Sequence, residues 1–335
     1  MKTRTPMYLL ILISPFIFGW VALLVGAYGI SPWMVLKILL DGLLHPAGSV
    51  DIPERAIVLD IRLPRIILAG LVGAALTGSG VTLQGVFRNP LVDPYILGIS
   101  AGAALGCALS VGFFPDIPVQ FLALLLGIVA VFLTYTIART QGEVLRLPLV
   151  LSGVIVSAFF TAMVSTVKIL VDPHRLQDIV FWLMGSFSLA DWGLVRIAGM
   201  GIAAGILPIY LMRWRLNVMS MGEDEARALG VNIKRERMIF IVASSLATSI
   251  AVSVSGIIGW VGLMVPHLVR MAVGPDHKGL VPLSMAGGAA FMIFADTIAR
   301  GLTGFDIPVG IITAITGAPF FIYLMKRGGK DSWGR

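Results

Sequence analysis

Charge is what this sequence has least of. Asp, Glu, Lys and Arg together make up 13% of its 335 residues, against about 25% in an average soluble domain. That excludes an ordinary water-soluble protein. No Asp or Glu falls in the middle of a long apolar run. Proton-coupled carriers keep ionisable side chains at mid-membrane, so the absence weakens that class. The single cysteine, Cys107, lies inside an apolar run. It cannot form an internal disulfide, a cysteine metal cluster is excluded, and a small buried apolar residue is its default role. The histidines, His45, His174, His267 and His277, are far apart, with no HExxH or Cys/His metal spacing. His267 follows Pro266, where a packed ring is the more ordinary reading than a ligand. No nucleophile–base pair or metal motif supports an intramembrane hydrolase, so no catalytic or metal residue is expected. The phosphate loop G-x-x-x-x-G-K-S/T is absent too. If the protein drives active transport, the nucleotide must be handled by another chain.

What is abundant is apolar. Hydrophobic residues reach 57%, and the mean hydropathy is +0.94. Apolar runs near twenty residues recur along the chain, and about 20 residues cross the hydrocarbon of a bilayer. The spacing predicts an all-α, polytopic membrane protein with ten spans. They run roughly 7–30, 64–86, 95–113, 119–138, 147–170, 194–212, 238–256, 257–274, 280–299 and 307–325. The first run is too long for the apolar core of a signal peptide and is read as a span. Pro266 is expected to break or kink the eighth. With both termini in the cytoplasm, seventeen of the 25 basic residues fall on the cytoplasmic side, as the positive-inside rule asks. That bias also accounts for the net charge of +7 without nucleic acid. Two outer stretches are too short or too charged to span. One begins at Ser31-Pro32, an N-cap and first helical position; the other is 172–188.

Small residues repeat at helical spacing. Gly98, Gly102 and Gly106 share one face of the third span, and Gly70, Ala74 and Gly78 do so in the second. Such rows let helix backbones approach closely in lipid. There is also an internal echo. Ser79-Gly80 and Ser255-Gly256 are each followed, ten residues after the glycine, by Pro90 and Pro266. Both pairs are expected near a span end. Five spans per half would give the halves opposite orientation, the inverted-repeat plan of transporters.

One charged run interrupts the apolar pattern: 220-SMGEDEARALGVN-232. Ser220 and Glu223 have capping-box spacing. Glu223, Asp224 and Glu225 fall in a first turn, where the helix dipole favours anions. Arg227 lies near the last turn, and Gly230 suits a left-handed stop. The spacing predicts a two-turn cytoplasmic helix, too short to stand alone in water. A solvated loop helix and a docking element remain open on spacing alone.

Several segments together resemble the FecCD family of binding-protein-dependent ABC importer permeases. They are 62-RLPRIILAGLVGAAL-76, 85-GVFRNPLVDPYILGISAGAALG-106, 180-VFWLMGS-186, 222-GEDEARALGV-231, 257-IIGWVGLMVPHLVR-270, 295-ADTIAR-300 and 307-IPVGIITAITGAPFFIYLM-325. The resemblance covers almost the whole chain. It implies a type II importer permease fold, a single transmembrane domain over 1–335 and a site in the cytoplasmic membrane of a bacterium or archaeon. It implies a second permease copy, with the path at the interface along the fifth and tenth spans. Further implied partners are two ATP-binding subunits, which carry ATP and Mg, and a soluble binding protein outside; this chain itself would hold no cofactor. Coupling helices are implied at about 216–231, with Gly222, Glu223, Glu225, Ala226, Arg227, Leu229 and Gly230 matching the motif that fits a groove on the ATPase. Arg62, Arg65 and Arg300 match outer arginines that pair with acidic residues of the binding protein. Asn89, Pro90 and Leu91, and Leu145, Arg146 and Leu147, match loops at the cytoplasmic gate. The expected cargo is a metal chelate: iron–siderophore first, with haem or cobalamin next. The alternative is an ATP-independent secondary transporter or channel.

Overall fold

The computed structural model describes residues 5–26, 28–44, 53–140, 143–144, 146–221, 223–301 and 306–327. In chain order the elements begin with α1 (Thr5–Leu24), α2 (Pro32–Leu44) and α3 (Pro53–Ala56). A π-helical stretch (Ile57–Arg62) leads into α4 (Leu63–Phe87), and a 3-10 turn (Pro94–Leu97) into α5 (Ile99–Phe113). Then come α6 (Val119–Ala138), the strands β1 (Arg139–Thr140) and β2 (Glu143–Val144), α7 (Arg146–Leu170), α8 (Pro173–Leu183) and α9 (Trp192–Met221). The last five are α10 (Glu223–Ala228), α11 (Ile233–Ser255), α12 (Val261–Val273), α13 (His277–Gly301) and α14 (Val309–Arg327). The two strands form one short antiparallel hairpin, pairing Arg139 with Val144. Everything else regular among the described residues is helix.

Among the described residues eight helices are long and apolar enough to cross a membrane, and α5 and α12 are shorter apolar helices. The ten expected spans correspond to these ten. The two short ones explain themselves. Each is entered through an irregular segment, 94–98 before α5 and 256–260 before α12, that carries the chain part of the way. In each set of five the third member is the short one. Both short helices begin on a left-handed residue, Gly98 at φ 84° and Trp260 at φ 72°. Non-helical backbone at membrane depth is tolerated only where protein satisfies its polar groups. Here the two segments satisfy each other: the Tyr95 hydroxyl donates to the Ile258 carbonyl at 2.8 Å and accepts from the Ile258 N–H at 3.3 Å.

α4 and α11 are the central helices, buried along most of their length, whereas α1 and α14 are largely exposed. α4 packs on α13, α9, α11 and α12. The closest approaches use glycine. A Cβ on Gly73 would lie 2.2 Å from the Gly288 carbonyl oxygen, and one on Gly80 would lie 1.9 Å from that of Gly262. Pro266 lies four residues beyond Gly262 and has no N–H to donate to it. Gly80 therefore covers a carbonyl that the α12 ladder leaves unpaired. Pro266 does not break α12, which runs through it.

Of the predicted rows, Gly102 and Gly106 meet α6 backbone at Leu126 and Leu122. Gly70 and Gly78 meet side chains instead; Gly73 and Gly80 make the backbone contacts. The echo also needs one correction. Ser79-Gly80 lies inside α4, with the Ser79 hydroxyl donating to the Ser244 carbonyl of α11, while Ser255-Gly256 ends α11. The stretch beginning at Ser31 and the first part of 172–188 are helical as expected: the Met34 N–H donates to the Ser31 hydroxyl, and Asp172 caps α8.

Candidate functional site

Hydrogen bonds sort the candidate residues onto two ends of the bundle. Arg62, Arg65 and Arg300 gather at one end, with the C-terminus of α1. The coupling and gate stretches gather at the other, with the C-terminus of α9. α4 connects them; its 25 residues span about 37 Å.

At the first end all three arginines are occupied within the chain. Arg62 leaves the π-helical stretch pointing inward and is 3% exposed. Its guanidinium donates to the Leu23 carbonyl at 2.6 Å and to that of Tyr28, and Gly26 leaves room for it. Arg300 donates to the Ala22 carbonyl. Two cations thus cover the unpaired carbonyls that end α1, where the helix dipole is negative. Arg65 forms a bidentate pair with Asp296 at 2.9–3.1 Å and reaches Asp306 at 2.8 Å. Asp296 is 1% exposed, and Arg300 Nε lies 3.8 Å from it. The i,i+4 pairing of Asp296 with Arg300 along α13 is secondary. The fork expected to meet an external carboxylate is already closed on an internal one. The physical reason is burial: a guanidinium taken from water needs an anion and acceptors beside it.

Next to this cluster lies a cleft of about 410 Å³. Gln120, Asp178, Trp182, Ser255 and Asp306 are among its lining. Asp306 thus faces both the cleft and Arg65.

At the other end, α9 continues unbroken to Met221. Ser220 is inside it and donates back to the Leu216 carbonyl at 2.8 Å, so the expected N-cap is overturned. A longer α9, anchored by buried Leu216 and Met219, takes up the residue. α10 follows as a helix of its own. Gly230 stands at φ 77°, and the Val231 N–H returns to the Ala226 carbonyl at 3.0 Å, the expected left-handed stop. Ala226 is fully buried, while Glu225, Leu229 and Gly230 face outward. Gly222 lies outside the described residues, as do the side chains of Glu223 and Arg227.

The loop after α4 sits against the same α9 terminus. Arg88 Nε donates to the Met219 carbonyl at 2.8 Å, and a second guanidinium nitrogen joins it. Asn89 Oδ1 accepts from the Leu91 N–H at 2.9 Å, closing a turn around Pro90. Gln84 takes a hydrogen bond from Arg270 at 2.8 Å. Asn217 accepts from His277 and donates to Asp276. Arg215 pairs with the buried Glu236. Leu147 is strongly exposed at the start of α7, with Arg146 beside it; Leu145 is outside the described residues.

The profile of the FecCD transport family matches residues 11–327. This chain belongs to the FecCD transport family. The FecCD family comprises transport permeases, not enzymes. A Helicobacter pylori relative described as an iron chelatin transport system permease protein is 45% identical over 81% of this chain and 82% of its own. The molybdate import system permease MolB of Haemophilus influenzae is 38% identical over 93% of each. The hemin transport permease HmuU of Yersinia pestis is 38% identical over 80% and 83%. A solved inward-facing structure of a metal-chelate type ABC transporter superposes with a TM-score of 0.86 at 35% identity, over 96% of this chain and 99% of that one.

Several contacts of this FecCD permease were not readable in the sequence. Arg65–Asp296 joins residues 231 apart, and Arg88 meets a backbone carbonyl, which carries no sequence signal. His267 packs between Phe320 and Phe321 of α14, 6.3 Å from each ring, the ordinary role expected for it.

Proposed function

We propose that this FecCD chain, as one transmembrane domain over 1–335, is the membrane-spanning subunit of an ATP-driven importer of a metal chelate. It works as one of two permease copies in a bacterial or archaeal cytoplasmic membrane, with both termini in the cytoplasm. Two separate subunits bind ATP and Mg, and an external binding protein delivers the cargo. The observation that carries this reading is the division of the candidate residues between the two ends. A short helix with an outward Glu225 and Leu229 follows the α9 terminus that Arg88, before the loop Asn89-Pro90-Leu91, holds. The arginine cluster stands a bilayer thickness away.

In this reading α10, with Gly222 through Gly230, is the handle for the ATPase. Asn89, Pro90 and Leu91, together with Leu145, Arg146 and Leu147, form the inner gate. Arg62, Arg65 and Arg300 belong to the docking face. Because they are engaged internally, they set the ends of α1, α4 and α13 against which the binding protein rests; Asp306, half open to the cleft, lies nearest to it. The path runs between two copies, along α7 and α14, whose exposed apolar faces include Ile155, Phe159, Ile315 and Ile322. The cargo is an iron–siderophore type chelate, by likeness to the iron chelatin relative; haem and cobalamin carriers are near in the same family.

The test is Glu225→Arg combined with Leu229→Asp. The variant should insert normally, yet ATP hydrolysis should no longer drive uptake. Unchanged uptake would overturn the coupling role.

A further inference from the structure

We propose that Arg88 is the tie that carries motion of the α9–α10 segment to the gate loop; this rests on the importer reading above. One residue terminates two helices. Its backbone N–H closes α4 on the Gln84 and Gly85 carbonyls. Its guanidinium closes α9 on Met219, two residues before that helix ends. A cation at that position also meets the negative end of the α9 dipole.

The geometry is specific. Arg88 is one of two non-glycine residues among those described with positive φ, at 52°. A left-handed residue carrying a long side chain is unfavourable unless its surroundings hold it. Here they do, through the Met219 carbonyl. The strand of chain beyond it has little slack. The Asn89 N–H returns to Gln84, its side chain holds Leu91, and Pro90 fixes the backbone between them. Gln84 is itself held by Arg270 of α12. A shift of the Met219 carbonyl must therefore move Arg88, and Arg88 must move the Asn89–Leu91 turn. Leu216 also packs beside Gly85 near the end of α4, so that packing and the Arg88 tie act at the same junction.

The test separates backbone from side chain. Arg88→Asn and Arg88→Gly both accept the left-handed cap and remove the guanidinium. Arg88→Lys keeps a cation with a donor. Each is made with Leu91→Cys as a reporter; the native Cys107 is buried. The full complex with its ATPase and binding protein is reconstituted in liposomes. Readouts are ATP hydrolysis, cargo moved per ATP, and the change in maleimide labelling of the Leu91→Cys position on ATP binding. The expected result for Arg88→Asn and Arg88→Gly is ATP hydrolysis within about twofold of the parent, transport per ATP down about tenfold, and no nucleotide-dependent labelling change. Arg88→Lys should recover part of both. A merely structural role would lower hydrolysis, uptake and thermal stability together and keep the labelling change; that outcome overturns the proposal, as does parental coupling in both variants. A parent complex that transports without ATP overturns the importer reading itself.

Discussion

Gly80→Ala and Gly199→Ala are the same chemical change in two helix interiors, and the structure gives them opposite signs. A Cβ on Gly80 would stand 1.9 Å from the Gly262 carbonyl oxygen and 2.8 Å from its carbon. A normal carbon–oxygen contact is about 3.3 Å, so α4 and α12 would have to part by about 1.4 Å. α4 cannot give way freely, because on its α13 side Gly73 is already against the Gly288 backbone. Forced overpacking of this kind costs about 1–3 kcal/mol. A Cβ on Gly199 meets only Leu71 Cδ1, at 3.7 Å. There the lower backbone entropy of alanine in the unfolded chain should add about 0.5–1 kcal/mol. The assay is thermal unfolding of the detergent-purified protein, run on both variants and the parent. Gly80→Ala should melt below the parent and Gly199→Ala at or above it. Separation of α4 from α12 should also loosen the Tyr95–Ile258 hydrogen bond between the two irregular segments. The reasoning is refuted if Gly80→Ala melts with the parent, or if both variants fall equally.

Asp296→Ala should destabilise the fold by about 3–5 kcal/mol, the scale for leaving one partner of a buried pair alone; Arg65→Leu with Asp296→Leu should lose less than Asp296→Ala alone when denaturation curves are compared. The Asp172 carboxylate accepts the Arg175 and His174 N–H groups, and these bonds hold it below the usual carboxylate range. A depressed folded value means that its cap is intact above about pH 3.9 and is lost as pH falls through that depressed value. Amide protection at the start of α8 should therefore drop on acidification in the parent and stay level in Asp172→Asn; equal pH dependence in the two would remove the carboxylate from the explanation.

The parts of the fold that were legible in the sequence are those set by local rules. Span positions followed from run length, and the α2 and α10 punctuation followed from Ser31-Pro32 and Gly230. The errors have physical causes. Ser220 has the chemistry of an N-cap, yet Leu216 and Met219 bury on the same turn and extend α9 past it. Ser79-Gly80 is expected near a span end but lies inside α4, where these small residues mark the place where α4 meets α11 and α12. The second-span row was misjudged because spacing gives a face but not which face meets backbone; Gly73 and Gly80 do, and Gly70 and Gly78 do not. The candidate site was legible as motifs and not as contacts. Arg62 and Arg65 were found in the sequence, but their burial was not, because Asp296 and the end of α1 are distant in the chain. Arg88 had no signal beyond its neighbours, since its partner is a carbonyl.

The central claim is that ATP on separate subunits drives this bundle. The direct measurement is uptake of a ferric siderophore into vesicles holding the chain with its ATPase and binding protein, with ATP removed while the membrane potential is held constant. The account predicts that uptake stops and returns when ATP is restored. Uptake that continues without ATP and follows the potential or an ion gradient would contradict it.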